Sequence, residues 1–210
     1  LQYRFQVDPT MSSSTYDLKM LFGDYNNLEE IKVEGIAFSN VSIWLFARKR
    51  AYAKYCEKFS PDRLREGEQW KRDYSDFLHF RYNQSWSTLY RSGLEALSTP
   101  EQLRDLLIYL QDESISIEKR VEEGLQGKYH CQGVGKNILT DLLHTFKPDF
   151  YGVWNSRTED ALKKIGQMPV ITGNAGRDYL AINAVLSKVA TELKTDLTTV
   201  DGFMWYISKD

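Results

Sequence analysis

The residues with the clearest chemical potential form a glycine-rich turn followed by an amphipathic segment. Gly133, Val134 and Gly135 read Gly-hydrophobic-Gly, and Lys136 and Asn137 come directly after them. Glycine permits a positive φ and the close approach of another chain segment. A helix that begins here presents free N–H groups and the positive end of its dipole, which suit an anionic oxygen such as that of a phosphate. The sequence therefore predicts an anion-binding turn, with Val134 in the core and Lys136 as a mobile positive charge.

A second segment follows this turn at a fixed distance. Residues 148–157 read Pro-Asp-Phe-Tyr-Gly-Val-Trp-Asn-Ser-Arg, and a new helix is predicted to begin at their end. Residues 133–162 together resemble, without a gap, the helix-hairpin-helix and following loop of the HhH-GPD superfamily of base-excision DNA glycosylases. The resemblance covers residues 131–165 and implies that the chain contains a helix-hairpin-helix motif.

The catalytic positions of that family hold other residues here. The family's catalytic Asp lies about 20 residues after the second glycine, where this chain has Asn155. An amide accepts no proton and supports no oxocarbenium-like cation as a carboxylate does. The two alternative positions of the family's nucleophilic Lys are Asn137 and Gln126, and Cys56 and Cys131 are too few for the four-Cys cluster of some members. We therefore expect that the glycosylase chemistry is lost and the DNA-holding scaffold is kept.

The resemblance thus implies a non-catalytic domain that grips the phosphate backbone of double-stranded DNA. The residues expected to contact DNA are Gly133, Val134, Gly135, Lys136, Asn137, Arg157, Lys128 and His130. Trp154 and Asn155 are candidates for a base pocket, in which Trp154 would stack on a flipped base. Two structural interpretations stay open: Trp154 as a buried anchor of its loop, and Asn155 as a turn residue that bonds nearby backbone. We expect no metal site and no cofactor beyond a monovalent cation at the hairpin, which the resemblance implies.

Basic residues of the stretch 41–95 are expected to extend this DNA footprint. The stretch has eleven Lys or Arg and seven Asp or Glu, a local charge of +4, whereas the whole chain has a net charge of −2. That overall balance argues against a protein that coats nucleic acid without discrimination. The alternative for the basic stretch is an ordinary solvated helix surface.

Two other functions remain open. One is a divergent DNA glycosylase or lyase that uses a carboxylate from elsewhere in the chain. The other is a helical bundle for protein interaction, in which the hairpin packs only against a partner.

A looser resemblance concerns residues 142–166 and 199–205. They are similar to segments of bacterial DNA-binding modules attached to McrBC-type AAA+ restriction motors and related defence proteins. This resemblance implies a reader of DNA or of modified DNA, whose polypeptide has further domains such as an AAA+ motor or a nuclease. The motor's own phosphate-binding signature is absent from the sequence. We expect a fragment of such a protein in the cytoplasm of a bacterium or archaeon.

The elements that must position the turn are predicted to be helices. Helix starts are indicated by Ser60-Pro61, by a capping box of Thr99 and Gln102, and by a second capping box of Ser156 and Glu159. Apolar residues at helical spacing predict helices over residues 103–110 and 179–193. Residues 203–207 form either a strand or a last amphipathic turn.

The predicted fold is mainly α: a bundle of eight to ten helices with little or no sheet. A short strand is predicted at Tyr3, Phe5 and Val7, and loops are predicted at residues 8–14 and 167–176. We expect a loosely defined N-terminal lobe of residues 1–37 and one compact DNA-binding domain of residues 38–210.

Composition excludes several classes of protein. Two cysteines are too few for a disulfide framework or a four-thiolate zinc site. No stretch approaches the roughly 18 apolar residues of a membrane span. His79, His130 and His144 are too widely spaced for a metal motif, so we expect satisfied or surface histidines. Asp141 and His144 are spaced as a dyad would be, but a pair on a helix surface is the default interpretation.

Overall fold

The computed structural model describes residues 17–33, 36–82 and 87–209. Within these ranges it contains eleven α-helices, one 3-10 turn and one two-stranded sheet. The prediction of a mainly α bundle with little sheet is confirmed. The number of helices exceeds the predicted eight to ten, and five of them are only five to nine residues long. The strand and loop predicted before residue 15 lie outside the described residues.

The elements follow one another in chain order. The helices are α1 (Leu18–Asn26), α2 (Val41–Lys58), α3 (Pro61–Arg65), α4 (Gln69–Tyr82), α5 (Thr88–Glu95), α6 (Pro100–Leu110), α7 (Ile117–Leu125), α8 (Lys136–Phe146), α9 (Ser156–Lys164), α10 (Ala175–Leu193) and α11 (Leu197–Lys209). The 3-10 turn, Ala96–Ser98, joins α5 to α6. Strands β1 (Ile31–Val33) and β2 (Ile36–Phe38) pair antiparallel, with Ile31 opposite Phe38.

Two predicted helix starts are correct in position, but the predicted side-chain caps are wrong, because neither Ser60 nor Thr99 caps its helix with its hydroxyl. Pro61 and Pro100 occupy the first turns of α3 and α6, where a missing N–H costs nothing. The predicted capping box at Thr99 is wrong, because Thr99 makes no side-chain bond to the first turn of α6. Its hydroxyl lies 3.7 Å from the sulfur of Cys131, the residue two positions before the glycine turn.

Helices α10 and α11 test the predictions made for residues 179–193 and 203–207. The helix predicted over residues 179–193 is confirmed and begins four residues earlier, at Ala175. Of the two interpretations of residues 203–207, the strand is wrong and the helix is right, since they belong to α11. The buried residues of α11 recur at helical and not at alternating spacing, as shown by Val200, Phe203, Met204 and Ile207.

Helix α8 lies at the centre of the core. Every residue from Ile138 to Phe146 is buried, so that only the start of α8 meets the surface. The first helix also joins this core, since Tyr25 packs against Phe203 and Tyr206 with ring centroids 5.7 Å apart in both pairs. The boundary expected after residue 37 stays a prediction. None of the described helices has the length and apolarity needed to cross a bilayer.

A buried network of charges joins α2, α4, α8 and α11. Arg48 lies 2.5 Å from Asp201, and Arg81 lies 2.5 Å from Asp141 and 3.9 Å from Asp201. The hydroxyl of Tyr82 donates to Asp141 at 2.7 Å. Two arginines and two aspartates balance in charge, which the buried location requires, because an unpaired charge there would be strongly destabilising. The network therefore fixes the position of α8 relative to three other helices.

His144 is a satisfied core histidine. Its Nδ1 lies 2.7 Å from the carbonyl oxygen of Tyr151, and its Nε2 lies 3.0 Å from the hydroxyl of Thr198. Burial lowers the pKa of His144 to about 4, so the ring is neutral at pH 7. The default interpretation of Asp141 and His144 as a surface pair is wrong, because both are buried and bond to different partners. The described residues include no group of three potential metal ligands.

Candidate nucleic-acid interface

The predicted glycine turn lies at the surface, between α7 and α8. Gly133 has a φ of +87°, and a Cβ built on it would overlap the carbonyl oxygen of Ser92 in α5. Only glycine fits this position without strain. The side chain of Val134 is buried, as predicted, and its N–H donates to the carbonyl oxygen of Cys131 at 3.0 Å. The turn is therefore fixed from below by Val134 and from the side by α5.

The first turn of α8 has no side-chain cap. Gly135 is the N-cap residue, with an extended backbone, and no side chain among the described residues accepts a hydrogen bond from the amides that follow. The contrast with α9 and α10 is clear, because Asn155 and Asn174 each accept from a first-turn N–H at 2.9 Å. The N–H groups at the start of a helix have no partner within it. The first-turn N–H groups of α8 are thus free to donate hydrogen bonds to an acceptor from outside the helix.

An open groove of about 500 Å³ lies over this helix start. It is lined by Leu89, Ser92, His130, Gln132, Gly133, Val134, Gly135, Lys136, Asn137 and Ile138. None of these lining residues is acidic, and their polar members carry hydroxyl, imidazole, amide and ammonium groups. The groove therefore brings six of the eight predicted contact residues together and adds two from α5, which sequence reasoning did not identify.

Lys136 is not the mobile charge that the sequence predicts. Its ammonium group contacts the carboxylate of Glu159 in α9 and lies 4.8 Å from the ring centroid of Trp154. Glu159 also accepts from Trp154 Nε1 at 2.7 Å. Burial opposes ionisation of Glu159, but the hydrogen bonds from Lys136 and Trp154 leave its pKa below the ordinary value. The carboxylate of Glu159 faces the ammonium of Lys136, so the pair adds no net charge to the site.

The two candidate pocket residues have structural contacts. Trp154 is buried, and its backbone N–H donates to the hydroxyl of Thr140 at 2.9 Å. These contacts agree with the interpretation of Trp154 as a loop anchor. Asn155 accepts from the N–H of Thr158 and so caps α9, as the turn-residue interpretation expects. The predicted capping box of Ser156 and Glu159 is therefore wrong: the N-cap lies one residue earlier, and Glu159 serves the ion pair with Lys136.

The remaining predicted contacts are exposed. Lys128 has its ammonium 5.0 Å from the ring centroid of Tyr129, which stacks on Tyr109 at 3.8 Å. This stack supports the stretch that leads from α7 to the groove. Arg157 is exposed in the first turn of α9, with its guanidinium 6.0 Å from the ring centroid of Trp205. Neither Lys128 nor Arg157 lines the groove.

Seven of the eleven cations of the basic stretch 41–95 form ion pairs with carboxylates. Arg48 and Arg81 belong to the buried charge network, which excludes them from a surface footprint. Five more are paired with carboxylates: Lys49, Lys58, Arg63, Arg65 and Lys71. Four form no ion pair with any described residue: Arg50, Lys54, Arg72 and Arg91. A spacing signal existed for Arg48, which falls on the stripe of α2 that also holds Trp44, Tyr52 and Tyr55.

Comparison with known proteins adds no relative: no family model, no curated protein and no solved structure matches the chain.

Proposed function

We propose that the chain is a non-catalytic DNA-binding domain that holds a backbone phosphate of double-stranded DNA at the start of α8. The observation that carries the proposal is an uncapped helix start that opens into a groove whose described lining residues include no acid. Oriented backbone N–H groups and the helix dipole both favour an anionic oxygen there.

The shape of the site supports a phosphate within a longer molecule. A groove of about 500 Å³ is far larger than one phosphate needs. Its one partly exposed apolar member, Leu89, can pack against a sugar ring, while Ser92 and Asn137 offer hydrogen bonds. Contacts of this kind hold the register of a duplex without reading its sequence.

The decisive experiment adds the missing cap. A Cβ at Gly135 meets nothing within 4 Å, and its backbone is extended, so Gly135→Asp fits without strain. The new carboxylate would accept from the first-turn amides and repel a phosphate. We expect a free energy of unfolding that is unchanged or higher by about 0.3–1 kcal/mol. We expect roughly tenfold weaker binding of a labelled duplex in fluorescence anisotropy, because the donors are occupied and the site is negative.

Two control variants isolate the site. Ser116→Asp adds the same charge at the N-cap of α7, the end of that helix away from the hairpin, and should leave binding unchanged. Gly135→Asn supplies a cap without the charge and should weaken binding less than Gly135→Asp does. Equal affinity of Gly135→Asp and the wild type would contradict the proposal, as would no binding of duplex by the wild type at low salt.

A base-release assay separates this proposal from the glycosylase alternative. The carboxylates of Asp141 in α8 and Glu159 in α9 are engaged: Asp141 with Arg81 and Tyr82, and Glu159 with Lys136 and Trp154. We expect no base release from damaged or methylated duplexes in single-turnover conditions. Release that depends on either carboxylate would favour the enzyme.

The finer role that we propose is the DNA reader of a restriction, defence or repair protein whose other domains include a motor or a nuclease. Its support is the resemblance of residues 142–166 and 199–205 to such modules. The same anisotropy assay with matched unmodified and methylated duplexes tests it, since a reader of modification distinguishes the two and a pure backbone binder does not.

A further inference from the structure

One carboxylate from α9 reaches the start of α8 and bonds two donors at once. Glu159 Oε1 accepts from the ammonium of Lys136 and from Trp154 Nε1. The Trp154 ring also lies under the Lys136 ammonium, so the three side chains form a closed group. Lys136 is the one basic residue in the first turn of α8 and also lines the groove.

We propose that Glu159 is the resident counter-anion of this site: it holds the Lys136 ammonium until a phosphate replaces it, and so sets the affinity of the groove for DNA. This inference rests on the proposed DNA-binding function. The exchange makes and breaks no covalent bond. The ammonium changes its anionic partner from a carboxylate to a phosphate oxygen.

The partial exposure of the Lys136 and Glu159 side chains permits such an exchange. The side chain of Lys136 is 37% exposed and that of Glu159 is 20% exposed, so water and ligands reach the pair. An ion pair that is partly exposed is weak enough to open. When Lys136 leaves, Glu159 keeps its bond to the indole N–H of Trp154, which holds the carboxylate in place.

The same arrangement means that the negative charge of Glu159 lowers the affinity of the groove for phosphate. Its charge cancels that of Lys136 in the free protein, and after the exchange it remains near the bound phosphate. Removal of this charge should both release Lys136 and remove a repulsion. We therefore expect that removing the ion pair between Glu159 and Lys136 will strengthen the binding of duplex DNA.

Glu159→Gln is the variant that tests this, because the amide oxygen of Gln still accepts from Trp154 Nε1 while the charge is lost. We expect duplex affinity to rise roughly three- to tenfold near 0.1 M salt, and the slope of log affinity against log salt to stay close to that of the wild type, because Lys136 contacts one phosphate in both proteins. The matched control is Asp160→Asn, which changes the net charge equally at an adjacent exposed carboxylate that contacts Lys163 and not Lys136. It should change affinity much less.

The possible outcomes separate the two proposals. If the wild type binds duplex and Glu159→Gln binds equally or more weakly, the role of Glu159 is overturned and the proposed function stands. An equal rise of duplex affinity in Asp160→Asn would also overturn it, since the loss of any nearby negative charge would then explain the effect. If neither protein binds, both proposals fail. Acylation of Lys136, followed by mass spectrometry, gives a readout without DNA: its rate should rise in Glu159→Gln, and an unchanged rate would contradict the pairing.

Discussion

Gly133 lies against the carbonyl oxygen of Ser92 so closely that no side chain fits between them. This relationship joins the hairpin before α8 to α5, two segments that are far apart in sequence. It also helps to form the groove, because Ser92 and Gly133 both line it. The groove therefore depends on one residue without a side chain.

The first prediction follows from that contact. Gly133→Ala should lower the free energy of unfolding by about 2–4 kcal/mol, because the methyl group overlaps Ser92 and the positive φ is strained. Urea denaturation measures this. Gly135→Ala is the matched control, since its Cβ would meet no other atom within 4 Å. Its free energy of unfolding should fall by less than about 1 kcal/mol. Similar losses in both variants would contradict the contact.

The second prediction concerns the charge at the groove. Lys136→Ala should weaken duplex binding and reduce the salt slope by about one unit, because one phosphate contact is lost. Anisotropy titrations at several salt concentrations measure both. Lys163→Ala removes an equal charge from an exposed position of α9 and should keep the slope of the wild type. A salt slope in Lys136→Ala equal to that of the wild type would show that its ammonium does not reach DNA.

The third prediction concerns the residue in the place of a catalytic carboxylate. Asn155 caps α9, so Asn155→Ala should cost about 1 kcal/mol of stability, whereas Asn155→Asp keeps the acceptor and should cost little. Thermal denaturation compares the two. Equal stability of Asn155→Ala and the wild type would rule out the capping role.

The fourth prediction is a pH dependence of stability. The pKa of His144 is about 4 in the folded protein because of burial, against 6.5 as its ordinary value. Between pH 6.5 and 4 the unfolded chain therefore binds a proton that the folded chain refuses, so stability falls as pH falls, by about 3 kcal/mol in total. Urea denaturation across this range measures the loss.

Two variants check that assignment. His144→Asn should be less stable at pH 7 but should lose less stability between pH 6.5 and 4. His79→Gln, at an exposed position, should follow the wild-type profile. A wild-type profile in His144→Asn would mean that other groups cause the dependence. Below about pH 4 a further loss is expected, since Arg48 and Arg81 overcome burial and lower the pKa of Asp201.

Local sequence signals predicted the helices and the turn well. The Gly-Val-Gly pattern identified a surface turn with a buried valine, and the spacing of residues 179–193 identified α10. These features depend on neighbours within a few positions, which is why a single sequence shows them. The strand alternative at residues 203–207 failed because Phe203, Trp205 and Ile207 alternate by chance within a helical pattern.

The partners of charged residues could not be read from the sequence. Lys136 and Glu159 are 23 positions apart, and Arg48 and Asp201 are 153 apart, so only the packing of helices brings them together. For the same reason a stretch with a local charge of +4 appeared as a candidate surface although seven of its cations are paired. The spacing of Ser156 and Glu159 predicts a capping box, but Asn155 is the N-cap of α9 and Glu159 pairs with Lys136.

The enclosure of α8 has a practical consequence for finding what the protein binds. The exposed end of this helix is continuous with a core segment on which α2, α4 and α11 converge, so anything that holds its first turn also opposes global unfolding. By mass action, a ligand at one hundred times its dissociation constant stabilises a protein by about 2.7 kcal/mol. Melting curves recorded with a panel of oligonucleotides will therefore rank ligands without any label.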